Sequence, residues 1–412
     1  MKILRAVSPA RIPAFASLRH RNYRLYWTGL LVAIMGWQVL TFTQLWLVYE
    51  LTNSPFYVGL VGGVNGASNI CLSMFGGVFA DRLDRRRLLL LTQSLMAFLS
   101  LALAILTVTG AVNVWHVLII SGLTGATAAF DSPARQALIP HLIDDRNDLA
   151  NAVALSSSVW SAARIIGPAV AGVLIAVTGP AICFFITAFG YGAMVLSLRS
   201  LNLDSAAARV VRLRLLAEIK EGWSYVLRNR VFLGLIGMTF FNSLLGLSYV
   251  YLLPVFARDI LHVDSSGYGL LMAASGVGAV CGTIAVAALA SRGGRGRLLI
   301  FGSVVFGALL AVFAFSTSYA FSLSALALAG FFNSLYMTNV VTLLQTLVPD
   351  ALRGRVMGIY SLTWSLMPLG GMQAGLVANA VGAPLAVALG GFGILAFGLV
   401  VAIVGKRIRE LS

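Results

Sequence analysis

LLLLTQSLMAFLSLALAILTVTG, from Leu88 to Gly110, is apolar on every face of a helix and carries no charge. A helix that spans a membrane needs about 20 mainly apolar residues to cross a hydrocarbon core of about 30 Å. Lipid offers the backbone no hydrogen bonds, so only helices and closed barrels can cross it. Barrel strands alternate apolar and polar residues over about ten positions, and this stretch does not. It reads as a transmembrane helix.

Stretches of the same kind run nearly end to end. The expected spans are 24–49, 56–80, 88–110, 114–138, 150–177 and 180–198, then 231–256, 266–290, 298–317, 319–346, 354–380 and 383–404. The 412-residue chain is 59% apolar and 10% charged, against roughly 45–50% and about 25% in soluble domains. The expected fold class is therefore all-α integral membrane, with twelve transmembrane helices. All but two of the 29 Lys and Arg fall in loops on one side of these spans, the exceptions being Arg164 and Arg258. Short cytoplasmic loops retain positive charge, so both termini are expected in the cytoplasm. The net charge of +15 is then a topology signal and gives no reason to expect nucleic acid as a partner. The Arg-rich start leads straight into a full-length span, which does not fit a cleaved signal. Arg far outnumbers Lys, as in proteins of GC-rich bacterial genomes, and the expected location is a bacterial inner membrane, multi-pass.

The second half repeats the first. Arg82, Arg85, Arg87 and Leu88 recur as Arg292, Arg295, Arg297 and Leu298; Gln136-Ala-Leu-Ile-Pro140 recurs as Gln345-Thr-Leu-Val-Pro349; and Pro168 pairs with Pro368. Chance similarity among apolar helices does not place polar loop residues in register. Duplicated six-span units are the organisation of carriers whose halves rock about a midplane site. The expected divisions are a cytoplasmic segment 1–23, six-helix bundles 24–199 and 231–405, a linker 200–230 and a tail 406–412. Within the linker, Leu215 to Arg230 reads as an amphipathic helix lying at the membrane surface.

At these residues the chain resembles the major facilitator superfamily. Gly77-Val-Phe-Ala-Asp81-Arg82-Leu-Asp84-Arg85-Arg86 is similar to the superfamily signature between spans 2 and 3, with Asp84 where a second Gly is usual. LRHRNYRLYWTG (18–29), LWLVYELTNSPF (45–56) and ARIIGPAVAG (163–172) resemble the branch containing the enterobactin exporter and macrolide efflux proteins. The resemblance implies a major facilitator fold. It also implies a gating latch of Gly77, Asp81 and Arg82 on the cytoplasmic side, with Arg85 and Arg86 anchoring lipid phosphate or fixing topology. Gly167-Pro168 is similar to the span 5 signature of exporters. Pro168, like Pro368, favours a kink because proline removes a helical hydrogen bond.

A charge inside a span costs at least about 2.5 kcal/mol, so a retained one is a functional candidate. Two positions qualify, Asp131 in span 4 and Arg164 in span 5. Asp131 sits in a polar stripe with Thr124, Thr127 and Arg135, and adjacent helices bring Arg164 within possible reach. Asp131 is read as a proton-coupling residue together with Arg164 and Asp81; Arg164 either tunes Asp131 or binds an anionic substrate group. A static ion pair between spans 4 and 5, or a pair of Asp131 with Arg135 on its own helix, is the alternative. The resemblance implies a cavity lined by spans 1, 4, 7 and 10. Its candidate substrate contacts are Gln38, Thr41, Gln44, Thr127, Asn242, Tyr249, Asn333 and Tyr336, with Trp160 and Trp364 from spans 5 and 11. Each taken singly reads more readily as interhelical glue than as a ligand contact, and the Asn65 and Asn69 pair reads as glue rather than as a contact.

The function expected is a secondary exporter of small amphipathic molecules, drug-like or siderophore-like, working by alternating access with proton antiport. A narrow siderophore exporter and a facilitator without coupling are the alternatives. The four histidines and three cysteines show no ligand or catalytic spacing, and no phosphate-cradling loop is present. No enzyme activity, metal or cofactor is therefore expected. The expected partners are the substrate, protons and lipid, and the expected state is a monomer.

Overall fold

The protein is described by a computed structural model over residues 13–202, 215–289 and 293–411. Its first half contains α1 (Arg21–Thr52), α2 (Pro55–Arg82), α3 (Arg85–Val108), α4 (Val114–Leu138), α5 (Leu149–Thr178) and α6 (Pro180–Arg199). After the linker come α7 (Leu215–Arg228), α8 (Arg230–Phe241), α9 (Tyr249–Val255), α10 (Ser265–Leu289), α11 (Arg295–Ala314) and α12 (Tyr319–Leu347). The chain ends with α13 (Asp350–Ser365), α14 (Met367–Val381), α15 (Ala383–Val404) and α16 (Lys406–Arg409).

Among the described residues ten helices are long and apolar enough to cross a membrane. One of them is composite: α8, α9 and two π-helical turns, Asn242–Gly246 and Phe256–Ile260, form the single span Arg230–Ile260. Two more passes complete the set. They are α2, 28 residues long, and the pair α13 and α14, interrupted at Leu366 just before Met367-Pro368. By contrast α5 is unbroken through Pro168. Twelve passes result.

Local sequence sets the helix ends. Asp84, in the place of the usual Gly, accepts from the Arg87 amide and caps α3. Asn113 and His116 form a reciprocal capping box at the start of α4, which satisfies two amides that the helix leaves open. Gly179 and Gly382 occupy the tight turns into α6 and α15 at φ of 81° and 90°, a region that favours glycine. They stand at equivalent places in the two halves.

Packing repeats as the sequence does. In the first half α2 packs on α4, and α3 on both α4 and α6; in the second half α10 packs on α12, and α11 on both α12 and α15. The outward faces stay apolar: Val177 is 78% exposed, Phe189 74% and Ile403 76%, as expected where lipid is the solvent. Asn65 donates to the Ser121 carbonyl (3.0 Å) and Asn69 to that of Gly125 (3.2 Å), joining α2 to α4. The linker helix α7 packs on the second bundle: Gly222 sits against Arg355 and Ile359 of α13, and Tyr225 packs on Phe232 at 5.3 Å.

Among the described residues the buried apolar side chains form two clusters. One runs through both halves, whereas the other holds only first-half residues, including Tyr23, Leu89, Leu138, Leu155 and Tyr191. These belong to the end that carries the basic loops. The halves are therefore joined at the far end, and the basic end of the first bundle keeps a separate core.

Candidate functional site

The join at the far end is built from two seams. Along one, α5 lies on α10: the Ser265 hydroxyl donates to the Gly172 carbonyl at 3.0 Å, and a methyl on Gly269 would stand 2.5 Å from the Pro168 carbonyl. Along the other, α2 lies on α14: a methyl on Gly62 would stand 2.9 Å from the Pro368 carbonyl. The two prolines paired by sequence thus occupy equivalent positions in two equivalent seams. Between the seams α1 meets the second half. The Tyr268 ring stacks on Phe42 at 4.0 Å and on Trp46 at 5.8 Å. The Tyr49 hydroxyl donates to the Asp259 carboxylate, and the Arg258 guanidinium lies 5.9 Å over the Tyr49 ring. None of Phe42, Trp46, Tyr49, Asp259 and Tyr268 is identified as functional by the sequence reading. Its one hint is Arg258, the basic residue on the wrong side.

The two candidate charges inside the spans prove to have different surroundings. Asp131 is fully engaged within the first bundle. One carboxylate oxygen accepts from the Thr92 hydroxyl (2.9 Å) and the Gln93 amide (2.6 Å) of α3. The other accepts from Arg135 through Nε (3.1 Å) and Nη2 (2.6 Å). Asp131 and Arg135 are each 9% exposed, and the hydroxyls of Tyr26 and Tyr191 lie within electrostatic reach of the pair. Asp131 does not pair with Arg164. Arg135, which by position counts with the basic loops, is a buried partner in α4.

Arg164 has no carboxylate within 4.0 Å among the described residues. It lies on the face of α5 turned to the second half, where Tyr249 of α9 is within electrostatic reach. Its side chain is exposed although its place is mid-span. Trp160, one turn earlier, meets Trp37 edge-on at 5.4 Å. Pro168, one turn later, lacks the N–H that would otherwise occupy the Arg164 carbonyl.

The remaining predicted contacts divide. Asn333 donates to the Asn242 side-chain oxygen at 2.7 Å and Tyr336 to the Met238 carbonyl at 2.8 Å, so both bind neighbouring helices. Thr41 and Thr127 bond their own helix, at Trp37 (3.0 Å) and Leu123 (2.7 Å). The Tyr249 hydroxyl contacts Ser275 at 2.9 Å, and Trp364 meets Tyr360 edge-on at 6.4 Å. The side-chain amide nitrogens of Gln44 and Asn242 are buried without a hydrogen-bond partner among the described residues. Gln38 is half-buried on α1, against Gly167 of α5.

In the loop between spans 2 and 3, Arg86 donates to the Leu198 (2.8 Å) and Arg199 (2.6 Å) carbonyls, and Arg85 contacts His141 at 2.9 Å. Arg86 thereby caps the C-terminus of α6, where the helix dipole favours a cation. Both arginines act inside their own bundle. The side chains of Gly77, Asp81 and Arg82 lie outside the described residues, although their backbone forms the end of α2.

Comparison with known proteins places the chain. The family described as transmembrane secretion effector matches residues 12–411. The staphyloferrin A transporter of Staphylococcus aureus is 27% identical over 350 residues, 82% of this chain and 84% of that one. The multidrug efflux pump Tap of Mycolicibacterium fortuitum is 26% identical over 377 residues, 89% and 91% of the two chains. The enterobactin exporter EntS of Citrobacter koseri is 25% identical over 398 residues, 95% and 93%. Among solved structures, a bacterial homologue of the lysosomal transporter Spinster, inward-facing and unoccupied, superposes with a TM-score of 0.73 at 13% identity, covering 97% of this chain and 98% of that one. An inward-facing bacterial homologue of the iron transporter ferroportin gives 0.73 at 17% identity, covering 95% and 99%. The chain belongs to the transmembrane secretion effector family of the major facilitator superfamily, and its fold is that of these transporters.

Proposed function

We propose, from this membership, that the protein exports small amphipathic molecules, drug-like or siderophore-like, across a bacterial inner membrane by alternating access coupled to proton entry. The relatives' names, a staphyloferrin transporter, an enterobactin exporter and a multidrug pump, support the substrate class. The observation that carries the reading is the one-ended join. Halves 24–199 and 231–405 are packed at the end away from the basic loops, while the first half keeps its own core at the basic end. With the basic end in the cytoplasm, such a carrier loads from inside.

Asp131 is proposed as the proton-coupling residue, with Asp81 as its companion at the end of α2. Support comes from its surroundings: four donors converge on a buried carboxylate. Uptake of a proton would cost the contacts to Arg135 and free that guanidinium inside the bundle. A proton could therefore change the shape of the first bundle.

The test is transport by purified protein in liposomes under an imposed pH difference. Dye extrusion that collapses on addition of a protonophore is expected, and the Asp131→Asn protein should lose at least about tenfold in driven transport while still exchanging dye downhill. Driven transport retained in Asp131→Asn would remove that residue from the mechanism. Transport indifferent to the protonophore would make the protein a facilitator.

A further inference from the structure

An arginine in mid-span without a counter-charge is an expensive residue to keep. Proteins keep such a charge when something compensates it. In this chain the compensation is not internal: the Asp131 carboxylate within α4 is already bound by Arg135, Thr92 and Gln93. No other carboxylate lies within 4.0 Å of Arg164 among the described residues. Water can hydrate the guanidinium while the basic end is open. Closure of that end would strip the water and leave a cation facing Tyr249 and the second half.

We propose that Arg164 is the anion-binding residue of the transport site, and that the transported molecule carries a carboxylate or similar oxyanion next to an aromatic or apolar body. The proposal rests on the export reading above and names the substrate class for the same cavity. A planar guanidinium with five donors matches a carboxylate in two parallel hydrogen bonds. The surroundings supply the rest of the molecule's needs. Trp160, one helical turn away and 40% exposed, offers a ring face beside the charge, braced edge-on by Trp37. Tyr249 of α9, its hydroxyl paired to Ser275 at 2.9 Å, lies within electrostatic reach of the guanidinium. A substrate anion would replace the water lost on closing, so the loaded carrier closes more readily than the empty one.

Two dyes with a common xanthene skeleton and opposite charge test this: carboxyfluorescein, an anion, and rhodamine 6G, a cation. Binding to the purified protein is read by fluorescence anisotropy, which needs no transport. The intact protein should prefer carboxyfluorescein. Arg164→Gln should weaken carboxyfluorescein about ten- to a hundredfold, the worth of a hydrogen-bonded charge, and leave rhodamine 6G within about twofold. Arg164→Lys should recover part of the anion's binding through its charge, short of the intact protein because the second parallel hydrogen bond is lost, a recovery that a merely structural arginine would not require. Equal binding of both dyes, binding of neither, or an Arg164→Gln protein that still holds carboxyfluorescein would overturn the proposal. If the dye binds as expected and liposomes show no driven export, the export reading fails and this one stands.

Discussion

Asp131, about two turns in from the basic end of α4, and Arg164, at the middle of α5, face the same physical problem, a charge taken out of water. The protein solves it differently in each case. Asp131 is closed on itself, with four donors from α3 and α4 and no exposure beyond 9%. Arg164 is left open toward the other half, with an aromatic pair on one side and Tyr249 within electrostatic reach. A charge whose partners come from its own bundle moves with that bundle and senses its shape. A charge whose partner is missing senses whatever enters between the bundles. On this contrast rest the two proposals, coupling for the first and recognition for the second.

The sharpest way to break this contrast is to remove the partners. Arg135→Ala leaves the Asp131 carboxylate buried with neutral donors only, and breaking a buried pair costs about 3–5 kcal/mol. A large fall in Tm in detergent is expected, partly recovered in the double variant Asp131→Asn/Arg135→Gln. Arg164→Ala breaks no pair and should change Tm little. If both single variants lowered Tm equally, Arg164 would have an internal partner and the contrast would be void.

How much of this could be read in the sequence depends on distance along the chain. The helices, the duplication and the basic side follow from composition and periodicity, which are local. The Asp131–Arg135 pair is an i, i+4 contact and was open to reading on the same ground. Thr92 and Gln93 were not, because nothing in Leu88–Gly110 says which face of α3 turns to α4. The possible contact of Asp131 with Arg164 is not made for a further reason: α4 and α5 are consecutive in the chain but do not pack side by side, α4 lying on α2 and α3 and α5 on α1 and α10. Asn333 and Tyr336 show the same limit from the other side. Their residue types suit a ligand and a neighbouring helix equally, and only the Asn242 and Met238 contacts decide. Tyr49 and Asp259 lie 210 positions apart, and no spacing rule joins them.

A smaller effect sharpens the contrast through the far-end gate. If the Tyr49–Asp259 contact helps hold that end shut, weakening it should favour the opposite state, in which Arg164 loses access from the basic end while the Asp131 cluster is unaltered. Asp259 is exposed, so water compensates in part and the loss is expected near 1 kcal/mol, about a fivefold shift. Ser265→Cys, in a background without the three native cysteines, reports on the seam. Tyr49→Phe should raise its maleimide labelling about fivefold, and an unchanged rate would mean that the aromatic stack of Phe42, Trp46 and Tyr268 closes the gate alone.

A third arrangement of charge, at the surface of the first bundle, should give the smallest effect. His20, just before α1, lies between two carboxylates, Asp144 at 3.0 Å and Asp148 at 2.9 Å, while Arg19 reaches Asp148 at 2.6 Å. Burial pulls the imidazole pKa down, but the hydrogen bonds to Asp144 and Asp148 outweigh it and hold it above 6.5. The His20 hydrogen bond in turn, with Arg19, holds Asp148 below 3.8. The sign follows for each group. A raised histidine stabilises below pH 6.5 and loses that contribution as pH rises through its folded value. A depressed aspartate stabilises above pH 3.8 and loses its share only in acid below its folded value. The clasp between the N-terminal segment and the loop before α5 is thus tightest from about pH 4 to 6.5 and loosens above it. Amide exchange of residues 13–20 should quicken a few-fold between pH 6 and pH 8 after correction for intrinsic rates, and His20→Ala should remove the step. Persistence of the step in that variant would show that the charge sensed there is not the imidazole. Its absence in the intact protein would show that solvent already screens the clasp, which the enclosed Asp131 pair is built to avoid.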